Sequence, residues 1–355
     1  MKKVITMLSI ALCLSGSLYA QNISKTESKS LTAFLSQSAA KGGDNAEALH
    51  LIGKNPAACP GVKVENGHVV EIDWRGKNLA GTLDLSSFPA LRKVDVTDNK
   101  ITALTVANNP SLQVLNAGRN RLTSVDITGC GALQQLRLNR NALSQINLTD
   151  TPLLQILNVA SNLISDLDIS TSAVLKSINC MNNRLENLNV TNCTGLKNLY
   201  AGYNELTNVE LAGLSALENL NLTSNKLSKF YVQNLPALQT VFVSDNHMSQ
   251  FAAVNCPALL DIYAAYNDLT AFSVENCANI ADVNVAWNDL TYLDLSNQNF
   301  LQRVNVANNQ LITLDVTFDP QLRTLNLAGN TTLSDLRTEG DTQLVQVNGV
   351  WDTWE

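Results

Sequence analysis

Aromatic residues make up only 5% of the 355-residue chain, nineteen in all, and histidine occurs three times, at His50, His68 and His247. A core drawn from this composition must be aliphatic. The histidines stand far apart, and no H-E-x-x-H, phosphate loop or G-x-S-x-G occurs, which leaves no catalytic motif and points away from an enzyme. Charge is scarce too, at 15%, and the net balance of −7 lacks the basic footprint that a phosphate backbone requires, so nucleic acid is excluded as a partner. The seven cysteines include no C-x-x-C pair and no Cys/His cluster, so the residues imply neither a metal nor a cofactor. Beyond the N-terminus no apolar run is long and uniform enough to cross a bilayer, and direct membrane insertion is not expected.

What is present begins with "MKKVITMLSIALCLSGSLYAQN". Lys2 and Lys3 precede an apolar run over residues 4–14 that is too short to span a bilayer, and Ala20 offers a small residue for cleavage. Residues 1–20 read as a signal peptide. The expected location is exported: secreted, periplasmic or associated with the cell surface. Cys13 suggests lipoprotein processing, but Leu12 stands where that motif needs a small residue.

The rest is a repeat. From Leu91, a leucine or isoleucine falls at every twenty-first residue as far as Leu322, and an asparagine follows eight residues after each, from Asn99 to Asn330. Repeat four, "LQILNVASNLISDLDISTSAV", carries apolar residues at places one, four, six, eleven, fourteen and sixteen. Places four and six alternate with polar neighbours, the pattern of a strand buried on one face. One coil cannot bury its apolar side alone, whereas stacked coils share a continuous core. The expected fold is therefore a solenoid, a right-handed curved coil with a parallel concave β-sheet and a convex side of short strands or extended chain. The place-nine asparagines carry both donors and an acceptor, suited to backbone groups of their own and the adjacent coil that would otherwise be buried unpaired. Pro110, Pro152, Pro236, Pro257 and Pro320 all occupy place twenty and punctuate the return turn.

The frame matches the leucine-rich repeat pattern L-x-x-L-x-L-x-x-N-x-L. It resembles the internalin-type branch, particularly the 21-residue variety "L-x-x-L-x-C-x-x-N-x-L-T-x-L-D-V", although only Cys180 in "INCMNN" supplies that cysteine. The run "AEALHLIGKNPAACPGVKVENGHVVEIDW" is similar to the N-terminal caps of plant-type leucine-rich repeat receptors, without their paired cysteines. "LTAFLSQSAA" and "NAEALHLIG" read as short helices, "VKVENGHVVEIDW" as a hairpin about Asn66-Gly67, and "WRGKNLAGTLDL" as a degenerate first coil with Asn78 as its asparagine. The division is 1–20 signal peptide, 21–69 helical and hairpin cap, 70–343 repeats, and 344–355 a closing strand whose Trp351 and Trp354 cover the last layer of core. Internalin-type relatives act in adhesion or surface recognition, and the resemblance implies that class.

Four cysteines share place nineteen (Cys130, Cys193, Cys256, Cys277) and read as small apolar fillers of a turn. Cys256 and Cys277, in neighbouring coils, sit where a disulfide is geometrically allowed. Acidic residues recur at place fifteen (Asp126, Asp168, Asp294, Asp315). They read as solvated partners on the convex side, since calcium needs several oxygens converging on one point.

The functional signal falls on the concave strand, at places five and eight, which lie outside the apolar frame and are expected to be exposed. Tyr200, Phe242 and Tyr263 occupy place five; Tyr203, Tyr266 and Trp287 occupy place eight. Other repeats use Asn, Ser or Gly there without loss of frame, so six of the nineteen aromatics gather where the fold does not ask for them. Clustered exposed aromatics mark interaction surfaces. Asp261 and Asp282 lie among them, and Arg119, Arg137 and Arg140, with Lys93, form a basic group some coils away. These residues predict recognition of a macromolecule, first a host or envelope protein, through the concave face. The alternative is a glycan, with Tyr203, Tyr266 and Trp287 stacking on sugar rings and Asp261 or Asp282 accepting hydroxyl hydrogen bonds.

Overall fold

The computed structural model describes residues 23–347, apart from residues 52 and 54. The signal peptide and the closing tryptophans Trp351 and Trp354 lie outside the described residues.

Each repeat forms one coil, and the coils stack as about thirteen parallel turns. Places three to five make a three-residue strand, as in Ile156–Asn158, and twelve such strands join side by side, with the N-terminal hairpin at one end and Gln346–Val347 at the other, into one 15-stranded sheet. The register advances by one repeat per strand: Ile156, Leu157 and Asn158 face Ser177, Ile178 and Asn179. In repeat four, Leu154, Leu157, Val159, Ile164, Leu167 and Ile169 are all buried, matching the six apolar places of the frame. Their neighbours above and below continue the same contacts, so a single core runs from Leu31 to Leu327. Burying each leucine stabilises the stack by roughly 1.5–3 kcal/mol, and no coil could do so alone.

The asparagine ladder takes a definite form. Asn288 accepts the N–H of Leu269 in the preceding coil at 3.0 Å. Its amide donates to Val285 O in its own coil and to Ala264 O in the preceding one, both at 3.0 Å. The same three partners recur at Asn120, Asn204, Asn246 and Asn309. Each place-six carbonyl thus receives an amide from its own coil and another from the next, which satisfies the inner bend without water.

On the convex side the chain pairs only in places. Three three-stranded sheets form, the second from Phe230–Gln233, Gln250–Val254 and Ala271–Glu275, where place fourteen is phenylalanine and Phe251 stacks on Phe272 at 5.2 Å. Repeats three to six carry no convex strand and run extended. The place-fifteen acids close local turns: Asp126, Asp168, Asp294 and Asp315 each accept the backbone N–H two residues on.

At the N-terminal end, helix α1 (Lys25–Leu35) starts six residues earlier than the apolar pattern suggests, because Ser24 accepts the N–H of Glu27 and caps it. Helix α2 (Asn45–Ala48) is shorter than expected and ends before His50, which takes a left-handed φ of 55°. Strands β1 (Val62–Glu65) and β2 (His68–Asp73) form the hairpin, with positive φ at Asn66 and Gly67. The buried Glu27 carboxylate ties α1 to this hairpin through His68 Nδ1 at 3.1 Å, and Phe34 stacks on Trp74. The first coil corrects one expectation. β2 pairs with the next strand at an offset of one residue, so Lys77 rather than Asn78 stands at place nine, and Asn78 takes a left-handed φ of 57°. Asn45 of α2 does the nearby backbone work, accepting Ala80 N and donating to Ala80 O.

Candidate functional site

Place eight is where the backbone turns out of the concave sheet, and all twelve copies adopt positive φ, from 53° at Ser224 to 78° at Gly329. Its N–H donates to the place-seven carbonyl of the next coil (Tyr266 N to Ala286 O, 3.0 Å; Trp287 N to Ala307 O, 2.8 Å), so the left-handed geometry is locked between coils. Glycine and asparagine accept this conformation easily, whereas larger residues are strained there. Tyr203, Tyr266 and Trp287 nevertheless occupy it, with 54%, 58% and 51% of their surface exposed. Tyr266 and Trp287 stack at 5.7 Å and 10°. The Asn, Asp, Ser and Gly at other copies of place eight are the sequence signal that could have revealed the turn.

Place five departs from expectation. Its residues, expected to be exposed and free, are half-buried or buried, and most do structural work. Asn158, Asn179, Asn221, Asn284, Asn305 and Asn326 each accept the place-seven N–H of their own coil. The short concave strand ends at place five, and this side chain closes the turn that follows. Arg137, Tyr200, Phe242 and Tyr263 forgo that bond. Phe242 and Tyr263 stack at 4.7 Å, and Tyr263 is only 8% exposed, which makes this pair part of the packed surface rather than a free anchor.

The aromatics therefore form two groups. Tyr200 and Tyr203 stand in repeat six; the Phe242–Tyr263 and Tyr266–Trp287 stacks span repeats eight to ten. Repeat seven separates them with Asn221 and Ser224.

Asp282 cannot serve a ligand as the glycan reading requires. It is 1% exposed, takes two guanidinium contacts from Arg303 at 2.6 Å, and lies 3.5 Å from the Tyr263 hydroxyl. Burial outweighs the Arg303 charge and pushes its carboxyl up to about 6. Asp261, half-buried beside it, is raised by burial as well. Arg303, at place three, was not singled out from the sequence; its role shows only when repeats ten and eleven pack.

Among the basic residues, Lys93 is held by Glu71 at 2.7 Å, and Arg137 donates to Gln135 at 2.8 Å and to Asn116 at 3.3 Å. Arg119 and Arg140, exposed at place eight, have no side-chain partner among the described residues. Repeats four and five hold a separate cleft of about 290 Å³ on the convex side, lined by Asp166, Asp168, Asn187 and Asn189, with no aromatic ring. Among the described residues, no helix is long and apolar enough to cross a membrane, and no group of three His, Cys, Asp or Glu converges to hold a metal ion.

No family model and no curated relative matches the sequence. Solved structures do match in shape. A leucine-rich repeat protein of Leptospira interrogans is 19% identical, with a TM-score of 0.52 over 73% of this chain and 86% of its own. The leucine-rich effector protein YopM of Yersinia pestis is 22% identical, with a TM-score of 0.53 over 71% of this chain and 78% of its own. A chain of the LRIM1/APL1C complex is 21% identical, with a TM-score of 0.54 over 69% of this chain and 53% of its own. The fold is a leucine-rich repeat solenoid.

Proposed function

We propose that the chain is an exported leucine-rich repeat protein that binds a macromolecular partner, a protein, through its concave face, in adhesion or another surface or envelope interaction. The observation that carries this reading is the place-eight row. Tyr203, Tyr266 and Trp287 hold left-handed backbone and half-exposed rings, although Asn or Gly would satisfy the turn without strain. Large rings kept where folding disfavours them are best accounted for by contact with something else, since rigid aromatic area is what protein interfaces use as anchors. The reading is supported in kind by a fold neighbour found in a complex, LRIM1/APL1C. Export rests on the charged and apolar N-terminal segment.

Arg119 and Arg140 contribute to the same face differently, steering an acidic part of the partner and acting on the association rate, with an effect that weakens in salt. The test is a matched pull-down and glycan array with wild type and a Tyr266→Ala, Trp287→Ala double variant. The expected outcome is a protein partner whose recovery falls at least about thirtyfold with the double variant, two anchors contributing about 2 kcal/mol or more. Unchanged recovery with a normally folded variant would move the site to the convex cleft or the N-terminal helices. Selective glycan binding lost with the rings would establish the carbohydrate reading instead.

A further inference from the structure

We infer that the Tyr266–Trp287 stack, together with Asp245, is a subsite for the guanidinium of an arginine in a basic segment of the partner protein. The inference rests on the concave-face reading above and adds the chemistry of the group recognised.

Asp245, Tyr266 and Trp287 occupy place eight of three consecutive coils, ~4.8 Å apart along the sheet. Trp287 covers one face of Tyr266, in nearly parallel planes at 5.7 Å, so the stack runs along the coil axis and the other face of Tyr266 turns toward the coil of Asp245. Asp245 is exposed. Its Oδ2 accepts the Ser224 hydroxyl at 2.6 Å, which fixes the carboxylate, yet no cation meets it among the described residues.

The neighbouring cations are engaged elsewhere: Lys226 with Glu205 at 2.8 Å and Arg303 with Asp282 at 2.6 Å. Asp261, Asp268 and Asp289 add negative charge around the rings, and among the described residues Asp289 meets only the neutral amide of Gln310. A ring face that carries a negative quadrupole, next to a fixed and uncompensated carboxylate, suits a flat cation. A guanidinium can lie flat on Tyr266 and donate to Asp245 at once through a planar fork, a fit that a lysine ammonium, a point charge, makes less well and that a sugar ring makes without the charge.

The test follows the indole N–H signal of Trp287, assigned by Trp287→Phe, during titration with three blocked hexapeptides of alternating glycine with arginine, lysine or glutamine. The expected result is saturable binding of the arginine peptide, several-fold weaker binding of the lysine peptide, and binding of the glutamine peptide weaker by on the order of tenfold. Asp245→Asn and Tyr266→Ala should each weaken the arginine peptide about tenfold. Glu339→Gln, an equal change of charge at a remote exposed residue, should leave it unchanged. Three results overturn the inference: no binding of the arginine peptide, equal binding of all three, or an equal effect of Glu339→Gln and Asp245→Asn. A protein partner lost with the Tyr266→Ala, Trp287→Ala double variant but indifferent to Asp245→Asn would overturn the arginine subsite alone. A partner indifferent to both would overturn the concave-face reading as well.

Discussion

Trp287 and Asn288 are consecutive in sequence and should answer oppositely to substitution. In Trp287→Asn the half-exposed ring is exchanged for a residue at ease with positive φ. The left-handed conformation costs an ordinary residue roughly 1–2 kcal/mol, and asparagine less. Against that relief stands the stack on Tyr266, about 0.5–1.5 kcal/mol. The two nearly cancel, so stability should stay within about 1 kcal/mol of wild type. In Asn288→Leu, by contrast, the buried N–H of Leu269 loses its only acceptor, a loss of about 1–3 kcal/mol. Val285 O and Ala264 O keep one asparagine each, Asn309 and Asn267, so they lose one of two hydrogen bonds rather than all, about 0.5–1.5 kcal/mol apiece. The total is about 2–6 kcal/mol, even though leucine is the more apolar side chain at a buried position. Urea unfolding followed by circular dichroism reads both variants, with hydrogen exchange at repeats nine to eleven to detect segmental opening of the stack. Equal losses would refute the division of labour between the two places. A large loss at Trp287 alone would make the ring part of the scaffold.

Place five should behave unlike place eight: Tyr263→Ala, which removes a buried ring stacked on Phe242, should cost about 3 kcal/mol or more, while Tyr203→Ala stays within about 0.5 kcal/mol; equal melting curves would refute this. Asp319 is fully buried, and burial, with the Asp341 carboxylate nearby, pushes its carboxyl up to about 8. The folded chain therefore holds a proton that the unfolded chain releases near pH 4, and stability should fall as pH rises from about 4 to 8. Asp319→Asn keeps an acceptor for the Gln298 N–H and should flatten that slope; an unchanged slope would count against it. All six described cysteines are free and buried, with burial raising Cys59 to about 11 and Cys180 to about 12, so residues 21–355 in a denatured, unreduced sample should titrate as six thiols. A Cys256–Cys277 bridge found by mass spectrometry would refute this.

The frame was legible in the sequence because a 21-residue period repeats the same physical problem twelve times. Leucine at place one and apolar residues at places four and six have only one way to share a core, and the asparagine at place nine has one set of backbone groups within reach. The N-terminal coil was not legible because it occurs once: without a period, nothing in "WRGKNLAGTLDL" marks that Lys77 takes place nine and that Asn45, from a separate helix, bonds the backbone at Ala80.

The functional face divides in the same way. The sequence alone identified Tyr203, Tyr266 and Trp287 as residues the frame does not require. The sequence pattern assigned places five and eight to the same exposed class, because neither is among the six apolar places of the frame. Tertiary structure separated them. The strand ends at place five, so that side chain folds back onto its own turn or packs against the next coil. At place eight the chain has already turned into left-handed geometry, held by the following coil, and its side chain is directed into solvent. Pairings such as Asp282 with Arg303, or Ser224 with Asp245, join residues twenty-one positions apart, and they exist only once stacking brings neighbouring coils within hydrogen-bond reach.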